Sequence, residues 1–354
     1  MLSYIFRRLL WALLMLFVIT LITFVVFFLL PANSRNAQRN EQGFAAGLQS
    51  NYNTRGSFST QYVQFLGHIV RGDLGHSTRF HKSVTQVLRE TLPVTASLVI
   101  GGMIICVLIA IPIGLLSALH PRSLLDRGMM LFVLIAVSCQ PFWLGLMLSY
   151  LVGVKAKLLP VSGYCQITHH DQSSFFCSGP RYWASHLVLP WLTFVALFAA
   201  YYARMIRASL LEQFNEDYVR TAYAKGASPR RILRAHVFRN ASFPVITMLG
   251  MDVGVAFAGA LFIETAFTLP GMGQLLVRAL ANADAPVILG IVLAVSFVVV
   301  LANLVVDILY SVLDPRIRLD GRRDVVKASR SIVRELRTPP QQKQQQQAEP
   351  ASPT

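Results

Sequence analysis

The sequence predicts an all-α integral membrane protein with six transmembrane helices. Hydrophobic residues make up 54% of its 354 positions and charged residues only 14%. Mean hydropathy is +0.51, outside the range of soluble globular chains. Apolar windows of spanning length, about 20 residues, recur at Leu9–Leu30, Val94–Leu119, Gly128–Val154, His186–Ile206, Pro244–Ala266 and Val287–Leu313. The formal net charge of +15 would point to nucleic acid in a soluble protein. Here the basic residues gather between the apolar windows and in the C-terminal tail, so the charge reports topology and no nucleic-acid partner is expected.

Residues 1–8 read as a short basic cytoplasmic start. The first window follows Arg7 and Arg8 but is longer than a signal-peptide core, and PANSRNAQ after it offers no clear small-x-small cleavage pair, so a retained helix is expected. Residues 31–93 form a polar outer segment. Within it Tyr62, Phe65, Leu66 and Ile69 fall at helical spacing. Gly72-Asp73 breaks that pattern. Val84, Val87, Leu88 and Leu92 then share a second helical face. These amphipathic pieces suit either the membrane surface or the mouth of a bundle.

The second window carries Pro112 and Gly114, which predict a kink. The loop at 155–185 holds Cys165 and Cys177, a candidate disulfide worth about 3 kcal/mol in an oxidising compartment. His169, His170 and Asp171 share this loop, but their spacing matches no zinc framework, and no metal or cofactor is expected. Cys106 and Cys139 fall in apolar windows as small packing residues. In the fifth window Gly250, Gly254 and Ala258 form a small-xxx-small stripe, fit for close helix contact or for leaving room for a passage. From 320 to 354 a basic, Gln-rich tail low in apolar residues is expected to be disordered and cytoplasmic. With the N-terminus inside, 21 of the 32 Lys and Arg fall on the inner side, so both termini are expected in the cytoplasm.

Between the fourth and fifth windows lies a polar, basic island, residues 216–244. Glu216 and Asp217 suit a helix start, and Tyr218 to Lys225 can run helically. Gly226 ends that run. Ser228 and Pro229 then open a second helix, expected to reach about Arg239. A generic inner loop would be basic too, but would not need two caps around a Gly-Ala-Ser-Pro turn. The island is therefore read as a stiff docking elbow.

Ionisable residues inside apolar windows are costly and informative. Asp252 either faces a passage or pairs with a neighbouring helix or subunit. Glu264, near the outer end of the fifth window, is a candidate pathway residue for which a structural role at the helix end is favoured. Asp307 is expected to pair with an inner-loop arginine. An intramembrane enzyme using Asp252, Glu264 or His186 would need two such groups converging at one depth. Asp252 and Glu264 stand roughly 18 Å apart along one helix.

The run Arg220-Thr221-Ala222-x-Ala224-Lys225-Gly226, followed by His236, Arg239-Asn240-Ala241 and Pro244, resembles the EAA motif of ABC importer permeases, in the branch that moves dipeptides, oligopeptides and nickel. Further marks of that family stand in order along the chain: Arg71-Gly72-Asp73-Leu74-Gly75, Pro141-Phe142-Trp143-Leu144-Gly145, Glu264-x-x-Phe267-x-Leu269-Pro270-Gly271-Met272-Gly273, Asp284-x-Pro286 and Asp314-Pro315-Arg316. The chain departs from the pattern at Arg220, where the general motif has Glu, and at Tyr223, where the branch commonly has a basic residue. The segment 33–60 and the Cys165–Cys177 loop match the family poorly.

The resemblance implies a type I ABC importer permease-like bundle over residues 9–319, with a coupling loop at 209–243. It implies half of a translocation pathway for di- or oligopeptides, with nickel complexes or other small solutes as the alternative cargo, in a bacterial or archaeal inner membrane. Arg220, Ala222, Lys225, Gly226, Arg230, Arg231, His236 and Arg239 would engage a separate ATPase. The implied partners are a second permease subunit, two ATPase subunits, an extracytoplasmic solute-binding protein and membrane lipid. No phosphate loop of the GxxxxGK[ST] type is present, so ATP hydrolysis is assigned to the partners and not to this chain.

Overall fold

The computed structural model describes residues 2–29, 57–77, 79–165 and 179–313. The described part is built from helices. Helix α1 (Leu2–Phe24) ends in a π-helical turn, Val25–Leu29. It is followed by α2 (Phe58–Val70), α3 (Val84–Leu119), α4 (Leu124–Ser138), and α5 (Pro141–Leu148) with its π-helical extension Ser149–Lys155. Next come α6 (Pro180–Phe214), α7 (Asp217–Ala224), α8 (Pro229–Ala266), α9 (Met272–Ala281) and α10 (Ala285–Leu313).

Five helices are long and apolar enough to cross a membrane: Ile5–Phe28, Val84–Leu119, Pro180–Phe214, Pro229–Ala266 and Ala285–Ile308. They match five of the six predicted spans. The third, Gly128–Val154, is instead divided between α4 and α5 at Cys139-Gln140. Pro141 occupies the first turn of α5 and holds Gln140 in extended backbone (φ −67°, ψ 133°), because the proline ring clashes with a helical predecessor. Hydropathy runs through this break, so the apolar window does not reveal it. The amphipathic piece at 84–92 is the first part of α3, which continues through Pro93 and Pro112. The second helix of the island does not stop at Arg239. It passes through a π-helical segment, Leu233–Val237, into the fifth span as one element, α8.

The core is the junction of α3, α6 and α8, filled by Leu98, Phe194, Phe198, Tyr202, Ala256 and Ile263 among others. Glycine sets its tightness: a Cβ at Gly102 would stand 2.6 Å from the Phe194 ring, and one at Gly114 would stand 2.8 Å from the Ala203 carbonyl oxygen. Such small residues let backbones approach where lipid supplies no hydrophobic drive between helices. The Gly250 stripe has the same use. A Cβ at Gly250 would lie 2.5 Å from Val306, and one at Gly254 would lie 3.5 Å from Val299, so the stripe seats α8 on α10. A second cluster joins the start of α3 to α9 and α10 through Val84, Leu88, Met272, Leu275 and Ile288. A third packs Phe24 of α1 with Tyr62 and Phe65 of α2 and Leu289 and Leu293 of α10, so α2 covers one end of the bundle. Many outward side chains are apolar, as on α1, where Leu10, Trp11 and Leu13 are exposed. That pattern suits a hydrocarbon surround.

Most of the segment 33–60, the loop carrying His169, His170, Asp171 and Cys177, the Asp314-Pro315-Arg316 motif and the tail 320–354 lie outside the described residues.

Candidate functional site

The elbow between α6 and α8 forms as the cap residues require. Glu216 stands in extended backbone at the N-cap of α7. At the other end of α7 the Gly226 N–H donates to the Tyr223 carbonyl (2.9 Å) and the Ala227 N–H to the Ala222 carbonyl (3.2 Å). This pair of bonds is a Schellman closure. It needs a left-handed residue, and Gly226 supplies it at φ +77°. Ser228 sits in extended backbone at the N-cap of α8, with Pro229 in the first turn, but the Ser228 side chain makes no capping bond. The stiffness expected from that side chain comes instead from the continuity of α8.

Packing holds the elbow to the bundle. Val219, Ile232 and Val237 are buried, and Tyr218, Ala222, Ala227, Leu233 and Phe238 pack against the same core. The Tyr218 hydroxyl donates to Gln213 Oε1 at 2.6 Å, tying α7 to the end of α6. The candidate coupling residues therefore divide. Arg220, Lys225, Gly226, Arg230, Arg231, His236 and Arg239 are exposed, while Ala222 is half-buried and faces the core. The result is a basic outer surface on a fixed apolar base.

Close to the elbow, Asp126 of α4 is buried. Its carboxylate accepts two bonds from Arg207 of α6, Nε to Oδ1 and Nη2 to Oδ2, both at 2.8 Å. The Ser117 hydroxyl donates to Oδ1 and the Arg122 N–H to Oδ2 at 3.0 Å. The sequence pattern does not single out this group, because Arg122, Arg127 and Arg207 fall among the basic residues that report topology. The signal was a lone Asp in a basic turn, which has no meaning until α6 is placed beside it.

At the opposite end of the bundle Glu264 is fully buried, at 0% exposure. The Thr95 hydroxyl of α3 donates to its Oε1 at 2.6 Å, and the Gly273 and Gln274 N–H groups donate to Oε2 at 2.7 and 3.1 Å. The carboxylate thus caps the first turn of α9, where unpaired N–H groups and the helix dipole favour an anion. Thr95 also accepts the Met272 N–H at 2.8 Å. A Cβ at Gly271 would stand 2.3 Å from Glu264 Cδ, so only glycine fits there. Glu264, named above as a candidate pathway residue, joins α3, α8 and α9 and is fully buried.

Asp252 is half-buried. The Tyr202 hydroxyl of α6 donates to its Oδ2 at 2.7 Å, which is the neighbouring-helix pairing. Asp252 and Glu264 are engaged by separate partners at different depths, so they do not converge as an acid–base pair. Asp307 of α10 meets Arg8 of α1 at 2.9 Å, so its partner lies on the first helix and not in an inter-helix loop. His186 lies 2.9 Å from the Tyr182 carbonyl oxygen and 3.3 Å from the sulfur of Cys165. Cys165 is buried and disulfide-bonded, and Cys177 lies outside the described residues. Among the described residues no group of His, Cys, Asp and Glu could hold a metal ion.

The remaining sequence marks also fall at helix junctions. Asp73 accepts the Gly75 N–H at 3.0 Å and lies 3.0 Å from His68, and these two contacts, the Gly75 bond first, hold its carboxyl below the usual value. Ser77 donates to the buried Asp284 at the start of α10. A Cβ at Gly145 of α5 would lie 3.1 Å from the Phe267 ring.

A bundle of membrane-length helices with a capped, basic elbow between two of them defines a multispanning helical membrane protein. The chain belongs to the family described as binding-protein-dependent transport system inner membrane component. That family model matches residues 110–319, and its N-terminal counterpart matches residues 1–99. Among curated relatives, the di/tripeptide transport system permease protein DppB of Pseudomonas aeruginosa (strain UCBPP-PA14) is 34% identical over 337 residues, covering 90% of this chain and 99% of that protein. The dipeptide transport system permease protein DppB of Escherichia coli (strain K12) is 34% identical over 336 residues with the same coverage. Among solved structures, a chain of the MetNI methionine ABC transporter in an inward-facing conformation aligns with a TM-score of 0.51 at 16% identity, over 65% of this chain and 97% of that one. This last likeness concerns the fold alone.

Proposed function

We propose that the chain is the permease subunit of an ATP-driven importer of di- or oligopeptides and forms half of the translocation pathway. The observation that carries the reading is the elbow: a Schellman-closed helix, α7, and across a tight turn the start of α8, which is continuous with a span, together presenting an exposed basic surface and rooted in the core of the bundle. A partner gripping that surface would move α6 and α8 as levers, because little in the elbow can yield. The peptide class is supported by the printed names of the relatives above.

In this reading Arg220, Lys225, Arg230, Arg231, His236 and Arg239 meet a separate ATPase, Gly226 forms the turn, and Ala222 seats the elbow on the bundle. Both termini and the elbow lie in the cytoplasm. A second permease chain, two ATPase subunits and an extracytoplasmic binding protein complete the machine. Asp252 remains the candidate pathway residue, and the Cys165–Cys177 pairing belongs to the outer loop. Rigid-body rocking around a central site then gives alternating access.

The test is uptake of a labelled peptide panel, with nickel included, in the reconstituted transporter. Gly226→Pro, or reversal of Arg230 and Arg231 to Glu, is expected to leave insertion intact and to separate ATP hydrolysis from uptake. Unchanged uptake at normal expression would overturn the coupling role, and uptake of nickel without peptide would overturn the cargo.

A further inference from the structure

We propose that the buried Asp126–Arg207 pair is a positioning latch, making the divided helix α4–α5 travel with the arm of α6 that carries the elbow. The inference rests on the coupling role proposed above.

Arg207 stands about two turns before the end of α6, and Glu216 caps α7 directly beyond that end. Its guanidinium meets Asp126 through two parallel bonds of 2.8 Å. A fork of this kind fixes angle as well as distance, which a single contact does not. The other acceptor sites of the carboxylate are taken up by the Ser117 hydroxyl at the end of α3 and by the Arg122 N–H in the following turn. The Asp126 N–H donates to Ser123 Oγ at 3.1 Å. One carboxylate therefore joins α3, the α3–α4 turn, α4 and α6.

Helix α4 lies along α6 and also touches α3, and Asp126 is its buried charged side chain among those with described burial. Of its side chains with described burial, only Asp126 and Val133 are buried, while Leu131, Phe132, Leu134 and Ile135 point outward. Sliding α4 along α6 would strip a nearly inaccessible carboxylate of its counter-charge, so the two helices are held in one register. What α4 carries makes the register matter. Beyond the break at Gln140, α5 places Gly145 against Phe267, the residue that ends α8 beside the Glu264 clasp. A displacement of the elbow thus has a physical route through α6, Asp126, α4 and α5 to the far end of the bundle.

The experiment uses the transporter assembled with its own ATPase subunits and binding protein in proteoliposomes. Nitroxide labels are placed at Leu131→Cys on α4 and Tyr223→Cys on α7, both exposed, with Cys106 and Cys139 replaced by serine. Their separation is measured by pulsed dipolar spectroscopy with and without a non-hydrolysable ATP analogue. The latch predicts one unchanged distance in the wild-type background. It also predicts that Arg207→Lys, which keeps the charge and loses the fork, spreads the distances and lowers peptide uptake per ATP hydrolysed by about tenfold, with assembly retained. A wild-type distance that changes between the two states overturns the proposal, and so does an Arg207→Lys transporter with wild-type uptake per ATP. If Arg207→Lys fails to assemble, the wild-type distances decide alone. Normal uptake by Gly226→Pro would remove the coupling reading itself, and with it the latch. An uncoupled Gly226→Pro beside a coupled Arg207→Lys would remove the latch only.

Discussion

Replacing Glu264 tests whether a buried carboxylate stabilises this bundle or merely survives in it. In Glu264→Ala the Gly273 and Gln274 N–H groups lose their acceptor and the Thr95 hydroxyl loses its own. Each buried polar group left unpaired costs about 1–3 kcal/mol, so the gross loss is at least about 3 kcal/mol. The burial cost of the carboxylate is recovered at the same time, which brings the expected net loss to roughly 2 kcal/mol. Glu264→Gln keeps the shape and an acceptor for α9, and should cost about 1 kcal/mol. Glu264→Met fills the space without any acceptor and should resemble Ala. The assay is thermal unfolding of the purified chain in detergent, with hydrogen exchange read at Met272, Gly273 and Gln274. Gly271→Ala should mimic Glu264→Ala, since its Cβ would overlap the carboxylate, and the double variant should be less than additive. A Met variant as stable as wild type, with unchanged exchange in the first turn of α9, would refute the clasp.

Three further outcomes are expected. Gly250→Ala should loosen α8 from α10 and lower the melting point, and Val306→Ala should restore it, because Val306 is what the new Cβ meets at 2.5 Å. Ala283 closes α9 at φ +52° without being glycine, so Ala283→Gly should stabilise the chain by about 1 kcal/mol, read as a raised melting point. The lowered Asp73 carboxyl supports the turn after α2 wherever it is ionised. Its contribution is therefore complete above the ordinary carboxylate value, about 4, and is lost as pH falls through the lower folded value. Hydrogen exchange of residues 71–76 should differ between wild type and Asp73→Asn at neutral pH, and the difference should vanish in strong acid.

Relatives whose names specify peptides cover nearly the whole chain, yet the chemistry that distinguishes this bundle lies at its junctions. The marks that carried the family resemblance, around Asp73, Gly145, Glu264 and Asp284, are where one helix ends on another. Their role is visible only with both helices in place.

The sequence by itself determined which segments are apolar spans and where some helices stop and start. Apolar runs fix which segments leave water, since hydropathy is a sum over neighbours in the chain. Gly226, Pro229 and Gly72 fix where helices stop and start, because their backbone preferences are local. Tertiary structure alone decided who meets whom. Asp252 finds Tyr202, Asp307 finds Arg8, Asp126 finds Arg207, and Glu264 turns inward to cap α9. The break at Gln140 also became visible only in the backbone, where a proline interrupts a run that hydropathy joins. These pairings rest on contacts across 50 to 169 residues for Asp252 and for the Thr95–Glu264 bond. No rule of local spacing encodes a contact at that range: each partner is set by the packing of whole helices through their small residues.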